Sequence, residues 1–362
     1  MDTIDLLREL TAIPALSGHE DSMIAYMRDA FSQHAQDINV DRLGNVVAHI
    51  PGGHSDRSLL IFAHMDELGL VVRKIDPDGF VRFERVGGIP EKTLLGSWIE
   101  IHTEGGDRVP GLIGTTSHHV TPQEKKYQVP SRLEMYIDLG CSSADEVRAL
   151  GVQVGDGITY AHTFQVLSNE RIAAKTLDNR IGCALLIRLL EHLRENPPAC
   201  DLFVVASVQE EFNVRGVWPV FQTVKPDAAI CLDVTIATDT PEIKHLSDMS
   251  LGRGPAIGCY EFHGRGTLGG LIPNPKLRRF IVDVAEAEGI ALQREVLIGI
   301  ITDAAFAQLL GETGVPMAAF AVPIRYTHAP VEMCALPDFE QAVSVLNAVA
   351  ERFDTDADLE RG

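Results

Sequence analysis

Residues 58–70 read Ser58-Leu59-Leu60-Ile61-Phe62-Ala63-His64-Met65-Asp66-Glu67-Leu68-Gly69-Leu70. An uninterrupted apolar run is what a strand needs when it is covered on both faces, as in a sheet packed between two layers of helices. The run stops abruptly at a histidine and two acids. In open α/β sheets the carboxyl ends of the strands line the ligand crevice, so this is where ionisable groups would be gathered.

Three other runs end in the same way. Residues 202–208 lead into Gln209-Glu210-Glu211, residues 228–232 into Asp233, and residues 317–322 into Pro323-Ile324-Arg325-Tyr326-Thr327-His328. Segments with helical period separate them, at 179–195, 276–288, 302–310 and 338–353. Buried strands alternating with helices predict an α/β sheet covered by helices on two sides. Residues 3–10 and 20–31 also have helical spacing, with Ser17 placed to cap the second helix, and residues 45–50 read as a further strand.

From 71 to 164 the texture changes to short strands broken by Asp76-Pro77-Asp78-Gly79, Gly87-Gly88, Gly105-Gly106-Asp107 and Val109-Pro110-Gly111. Only 143–150 looks helical there. This span predicts a small β-barrel or sandwich inserted into one α/β domain, which then comprises 1–70 and 165–362. Residues 354–362 read as a solvated tail, and no internal repeat is present.

Composition narrows the function classes. The 362 residues carry 31 Lys and Arg against 51 Asp and Glu, a formal charge of −20 that repels phosphate backbones and anionic membranes. Nucleic acid and membrane are excluded as expected partners. The longest apolar runs fall far short of the ~20 residues of a membrane span, and the N-terminus lacks an export signal, so a cytoplasmic location is expected. The six cysteines are scattered without a Cys-x-x-Cys pair and read as small buried hydrophobes.

Taken singly, each ionisable residue has an ordinary explanation. Asp178, before a long apolar-periodic segment, reads as an N-cap; His64 as a hydrogen-bonded core histidine; Asp233 and Glu211 as half-exposed carboxylates. Together they do not, because several acids at the mouth of one sheet repel one another unless a cation neutralises them. Two histidines and three carboxylates (His64, Asp178, Glu211, Asp233, His328) suit zinc or a similar divalent transition metal. Five ligands exceed the need of one tetrahedral zinc. With Asp178 as a bridge, one metal could take His64 and Asp233 and the other Glu211 and His328.

Adjacent strand residues point to opposite faces, so Glu210 and Glu211 can share one site only where the strand turns. One would then bind metal and the other hold a water as general base, an arrangement that argues against a glycosidase, which needs opposed carboxyls. Asp66, two residues beyond His64, is expected to accept a hydrogen bond from the ring nitrogen not on the metal. Glu67 is expected at the surface or as a cap.

The segments AHMDELG, KTLDNRIGCALL, VQEEFNVRG, LDVTIATDTP, ITDAAF and IRYTHAPVEM, in this order from about Leu6 to Met333, resemble the tetrahedral (TET) aminopeptidases, metallopeptidase family forty-two. The resemblance implies a di-zinc exopeptidase-like α/β/α sandwich with a mixed sheet, and metal ligands His64, Asp178 (bridging), Glu211, Asp233 and His328. It also implies Glu210 as general base with Asp66 behind His64, and two divalent ions per chain, zinc with cobalt or manganese as alternatives. It further implies that the β-rich insertion mediates dimerisation, that dimers assemble into a hollow dodecamer, and that peptides with a free N-terminus are the substrates. Thr302, Asp303 and Arg325 are the expected substrate contacts.

The chain departs from the family pattern at Gly299-Ile300-Ile301-Thr302-Asp303 and Phe212-Asn213-Val214-Arg215-Gly216. Both segments bear on the substrate side chain, so the preferred N-terminal residue does not carry over. Two rivals stand beside this reading, a related di-zinc carboxypeptidase or deacylase and a catalytically idle assembly protein on the same scaffold.

Overall fold

The computed structural model describes residues 1–53, 55–264, 269–354, 357, 359 and 360. Helices Thr3–Ala12 (α1) and Asp21–Ser32 (α2) precede strands Asp37–Val40 (β1), Val46–Ile50 (β2) and Ser55–His64 (β3). Ser17 does not cap α2. Glu20 occupies that position without a side-chain bond, and the Ser17 hydroxyl donates instead to Asp66 at 2.5 Å.

The chain then leaves the sheet through Gly69–Ile75 (β4), Val81–Val86 (β5), Trp98–His102 (β6), Arg108–Ile113 (β7), Ile137–Asp138 (β8), helix Ala144–Ala149 (α3) and Gly157–Tyr160 (β9). These strands close into a six-stranded barrel in the order β4-β5-β8-β7-β6-β9, antiparallel throughout. Closure removes the exposed edges that a short-stranded sheet would otherwise present. The barrel has its own apolar core, which includes Val72, Phe83, Ile101 and Ile137.

The remaining elements are Phe164–Leu167 (β10), Arg171–Ala174 (β11), Leu177–Leu193 (α4), Cys200–Ser207 (β12), Trp218–Val224 (α5), Ala228–Ile236 (β13), Ala256–Phe262 (β14), Gly270–Leu271 (β15), Pro275–Ala287 (α6), Gln293–Ile298 (β16), Ala304–Ala307 (α7), Met317–Arg325 (β17), Glu332–Ala335 (β18) and Leu336–Arg352 (α8). The main sheet runs β1-β2-β12-β3-β13-β17-β18-β11-β10, with β14, β15 and β16 branching from β17. Its centre, β12-β3-β13-β17, is parallel, and the flanks are antiparallel. A mixed sheet is the result.

β3 shows why the opening run decides the fold. Leu59, Ile61 and Ala63 join the core under α1, α2, α4 and α8, whereas Leu60 and Phe62 join a second core under α5 and α7. The side-chain period of two sends alternate residues into two apolar layers, so no polar residue is admissible until the strand emerges. α4 crosses β3, β12 and β13 and is buried nearly all round, as a helix at the centre of a core must be.

Two expectations need correcting. The segment 302–310 is helical only over Ala304–Ala307. The tail is not simply solvated: Ala357 and Leu359 join the main core, and the Asn274 amide donates to the Leu359 carbonyl at 3.0 Å. The other tail residues that were expected to be solvated and lie at 355, 356, 358, 361 and 362 are outside the described residues.

Candidate metal centre

Because β3, β12, β13 and β17 are parallel, their carboxyl ends share one edge, and Ser207 at the end of β12 lies beside His64 at the end of β3. A cavity of roughly 610 Å³ opens there, lined among others by His64, Asp178, Glu210, Glu211, Asp233 and His328. Four separate strand ends and the first turn of α4 thus meet in one place.

Asp178 sits between the two histidines. Its Oδ1 lies 3.3 Å from His64 Nε2 and its Oδ2 lies 3.5 Å from His328 Nε2. Asp233 flanks His64 at 3.8 Å, and Glu211 flanks His328 at 3.8 Å. Three groups of potential ligand atoms, His64/Asp178/Asp233, Asp178/Glu211/His328 and His64/Glu210/Glu211, each fall within 4.8 Å of one another.

Both imidazoles are held in the tautomer that a metal ligand needs. His64 Nδ1 faces the Asp66 carbonyl at 3.2 Å, and His328 Nδ1 faces the Gly88 carbonyl at 3.1 Å. A carbonyl only accepts, so each Nδ1 donates its proton there, and Nε2 is the ring nitrogen left facing Asp178, where a cation would sit. Gly88 belongs to the turn after β5, so the barrel itself orients His328.

Local backbone geometry brings Glu210 and Glu211 to the same side. β12 ends at Ser207, and Gln209, Asn213 and Val214 all have positive φ (57°, 67° and 48°), which curls the chain back so that Gly216 packs on Val208. A Cβ at Gly216 would lie 1.5 Å from the Val208 carbonyl oxygen. The Asp66 carboxylate fixes the curl from below, accepting the N–H groups of Glu210 and Glu211 at 3.0 Å each. Its nearer contact to His64 is through the backbone carbonyl, with the carboxylate at 3.4 Å.

Charge in this site is unbalanced without a cation. Burial pushes the Asp233 carboxyl up to about 8, and Asp178 and Glu211 add to it against the opposing pull of His64. Burial likewise raises Glu211 to about 7, reinforced by Asp178, and holds Glu210 well above the usual carboxylate range. Burial would depress His328, yet Asp178 outweighs it and drives the ring up to about 10. Carboxylates that resist ionising beside histidines that seek positive charge are the chemistry of a donor set for divalent cations. The residues present fit such a group.

Residues 44–345 match the sequence profile described as M42 glutamyl aminopeptidase. The chain belongs to this family. SgcX of Escherichia coli (strain K12) is 41% identical over 93% of this chain and 90% of its own length. The solved structure of aminopeptidase APDkam598 from Desulfurococcus kamchatkensis superposes with a TM-score of 0.92 at 35% identity, covering 98% of this chain and 96% of that one. A TET1 peptidase structure from Pyrococcus horikoshii, described as able to assemble into a tetrahedron or a large octahedral shell, has a TM-score of 0.86 at 30% identity over 97% and 100% of the two chains. Membership makes this chain an M42 aminopeptidase, a hydrolase of peptide bonds.

The three expected substrate contacts of this M42 chain are placed differently from one another. Thr302 lines the cavity, its hydroxyl 3.4 Å from Glu261. Asp303 is buried and accepts the Ser207 hydroxyl at 3.0 Å. Arg325 is engaged by both oxygens of Asp239, at 2.7 and 2.8 Å. Neither Asp303 nor Arg325 lines the cavity.

Glu67 is not at the surface. It is 1% exposed, accepts the Ala15 N–H at 2.9 Å and the Thr176 hydroxyl at 2.7 Å, and pairs with Lys175 at 2.7 Å. Arg180 lies 3.6 Å away. Its partners lie far along the chain, which is why a lone Glu after Asp looked solvated. A second buried acid, Glu332, escaped sequence reasoning although it stands next to last in one of the quoted segments. Among the described residues no helix is long and apolar enough to cross a membrane.

Proposed function

We propose that the chain is a cytoplasmic di-metal aminopeptidase that removes N-terminal residues from peptides. The observation that carries this reading is the position of Asp178, with one oxygen toward each histidine and a second carboxylate beside each ring. His64 and Asp233 would hold one ion, Glu211 and His328 the other, and Asp178 both. Zinc suits the donor set best, with cobalt and manganese as alternatives. When bound, such ions supply Lewis acidity toward the scissile carbonyl and acidify a water.

The protein's own residues do the rest. Glu210 lines the cavity beside Glu211 without being needed in either ligand group around Asp178. It takes the proton of the attacking water and delivers it to the leaving amine, as a general base that becomes a general acid. Asp66 holds the Glu210–Glu211 backbone and so aims both side chains. The carboxylates around the site attract the free α-ammonium group of a peptide, which favours cleavage at the N-terminus. Thr302 lies on the wall that a substrate side chain would meet.

We assign residues 71–164 as an inserted unit and the barrel within it as the surface through which chains pair. The assembly described for the Pyrococcus horikoshii peptidase supports extension of such pairs to a closed shell. The test is a panel of aminoacyl chromogenic substrates assayed after loading with zinc, cobalt or manganese. Release of chromophore that depends on metal and on a free α-amine supports the reading. Metal-independent release, or equal hydrolysis of N-blocked substrates, overturns it.

A further inference from the structure

Glu332 begins β18 and is 2% exposed. Its two oxygens are used separately: Oε2 accepts the backbone N–H of Asp178 at 2.9 Å, and Oε1 accepts the backbone N–H of His328 at 2.8 Å. Asp178 lies at the start of α4, where its φ of −78° and ψ of 105° are not helical. His328 lies after β17 with φ of +67°. Neither backbone position belongs to a regular ladder that would fix it, so the two N–H groups need another acceptor.

We propose that Glu332 is a positioning residue for the metal centre, a clamp that sets the separation of Asp178 and His328 through their backbones. The proposal rests on the di-metal reading given above. The clamp ties its own strand to a segment 154 residues away in sequence, and both of the groups it holds contribute to the same candidate ion. A carboxylate is the side chain suited to this task. It offers two acceptor oxygens in one rigid plane, whereas an amide offers one acceptor and presents N–H to the other N–H.

The clamp is distinct from the contact made by Asp66, which holds Glu210 and Glu211 on the opposite side. The site is thereby tied from two directions, and the Asp178–His328 arm depends on Glu332. Weakening it should affect one ion more than the other, because His64 and Asp233 keep their own supports.

The test is zinc titration of the metal-free full chain against a chromophoric chelator, for wild type, Glu332→Gln and Glu332→Asp, with thermal unfolding of each metal-free protein alongside. Wild type should bind two ions. Glu332→Gln should unfold near the wild-type temperature yet lose ten- to a hundredfold in affinity for one ion, leaving one per chain where wild type holds two. Glu332→Asp, which keeps the carboxyl group and loses reach, should fall between, and it carries the test if the glutamine variant does not fold. Two ions bound by a folded variant with wild-type affinity overturn the clamp and leave the di-metal reading standing. A wild type that binds no metal overturns both.

Discussion

Lys175 and Glu67 form an ion pair of 2.7 Å inside the protein, with their side chains 3% and 2% exposed. The pair joins the segment after His64 to the segment before Asp178, and Arg180 adds a second cation that also donates to the Met65 and Ile13 carbonyls. Burial would raise the Glu67 carboxyl, but Lys175 and Arg180 hold it below its usual value. Removing one partner leaves an unpaired buried charge, so Glu67→Ala or Lys175→Ala should cost about 3–5 kcal/mol. Replacing both with Glu67→Gln and Lys175→Met should recover most of that loss. Urea unfolding of the single and double variants measures both.

Glu210→Gln should retain metal and lose kcat by about 10²–10⁴, the usual range for general acid–base groups. Elemental analysis and steady-state kinetics on the same preparation separate the two properties. Substantial remaining turnover would remove Glu210 from the mechanism.

Gly216→Ala should be poorly tolerated, since its Cβ would lie 1.5 Å from the Val208 carbonyl oxygen and backbone on both sides would have to move. The expected loss is at least about 2 kcal/mol, in the range of overpacked cores. Activity should fall with it, because the same curl presents Glu210 and Glu211. Thermal unfolding and kcat/KM report the two effects, and a variant normal in both would contradict the close approach.

His102, on the barrel strand β6, is pushed down from 6.5 to about 4 by burial, with Lys175 reinforcing the shift and Glu67 opposing it. The folded state therefore resists a proton that the unfolded chain accepts. Stability contributed by the neutral ring is fully present above pH 6.5 and is lost as the pH falls toward about 4. His102 Nε2 lies 2.8 Å from the Thr159 hydroxyl, and His102→Gln, which can keep that bond, should flatten the decline in unfolding temperature across that window. An unchanged slope would assign the acid sensitivity to other groups.

The site was legible where chemistry follows from residue type next to an apolar run. His64 ends a buried strand, Asp233 lies near the end of another, and Glu210, Glu211 and His328 stand just beyond two more, so the interruption of apolar period is visible in one dimension. Residues that act through backbone N–H groups leave no such mark. Glu332 and Glu67 differ from solvated glutamates only in partners that lie more than 100 residues away or are not side chains at all. Strands β14 and β16 were missed for a different reason. Tyr260, Phe262, Val296 and Ile298 are exposed while Glu261 and Glu295 are buried, which inverts the pattern that identifies an ordinary surface strand. The short extent of α7 reflects a fold that needs only one turn there, against periodicity that would have allowed more.

The bond between Gly88 and His328 makes the barrel and the sheet poor candidates for separate engineering. A trimmed chain that discards the barrel to obtain a minimal hydrolase would also discard the carbonyl that sets the His328 tautomer and part of the wall around the cavity. Conversely, a partner that pulls on the barrel acts on that imidazole through a single short turn. The appended module is thus part of the instrument that carries it, and selection on either one constrains the other.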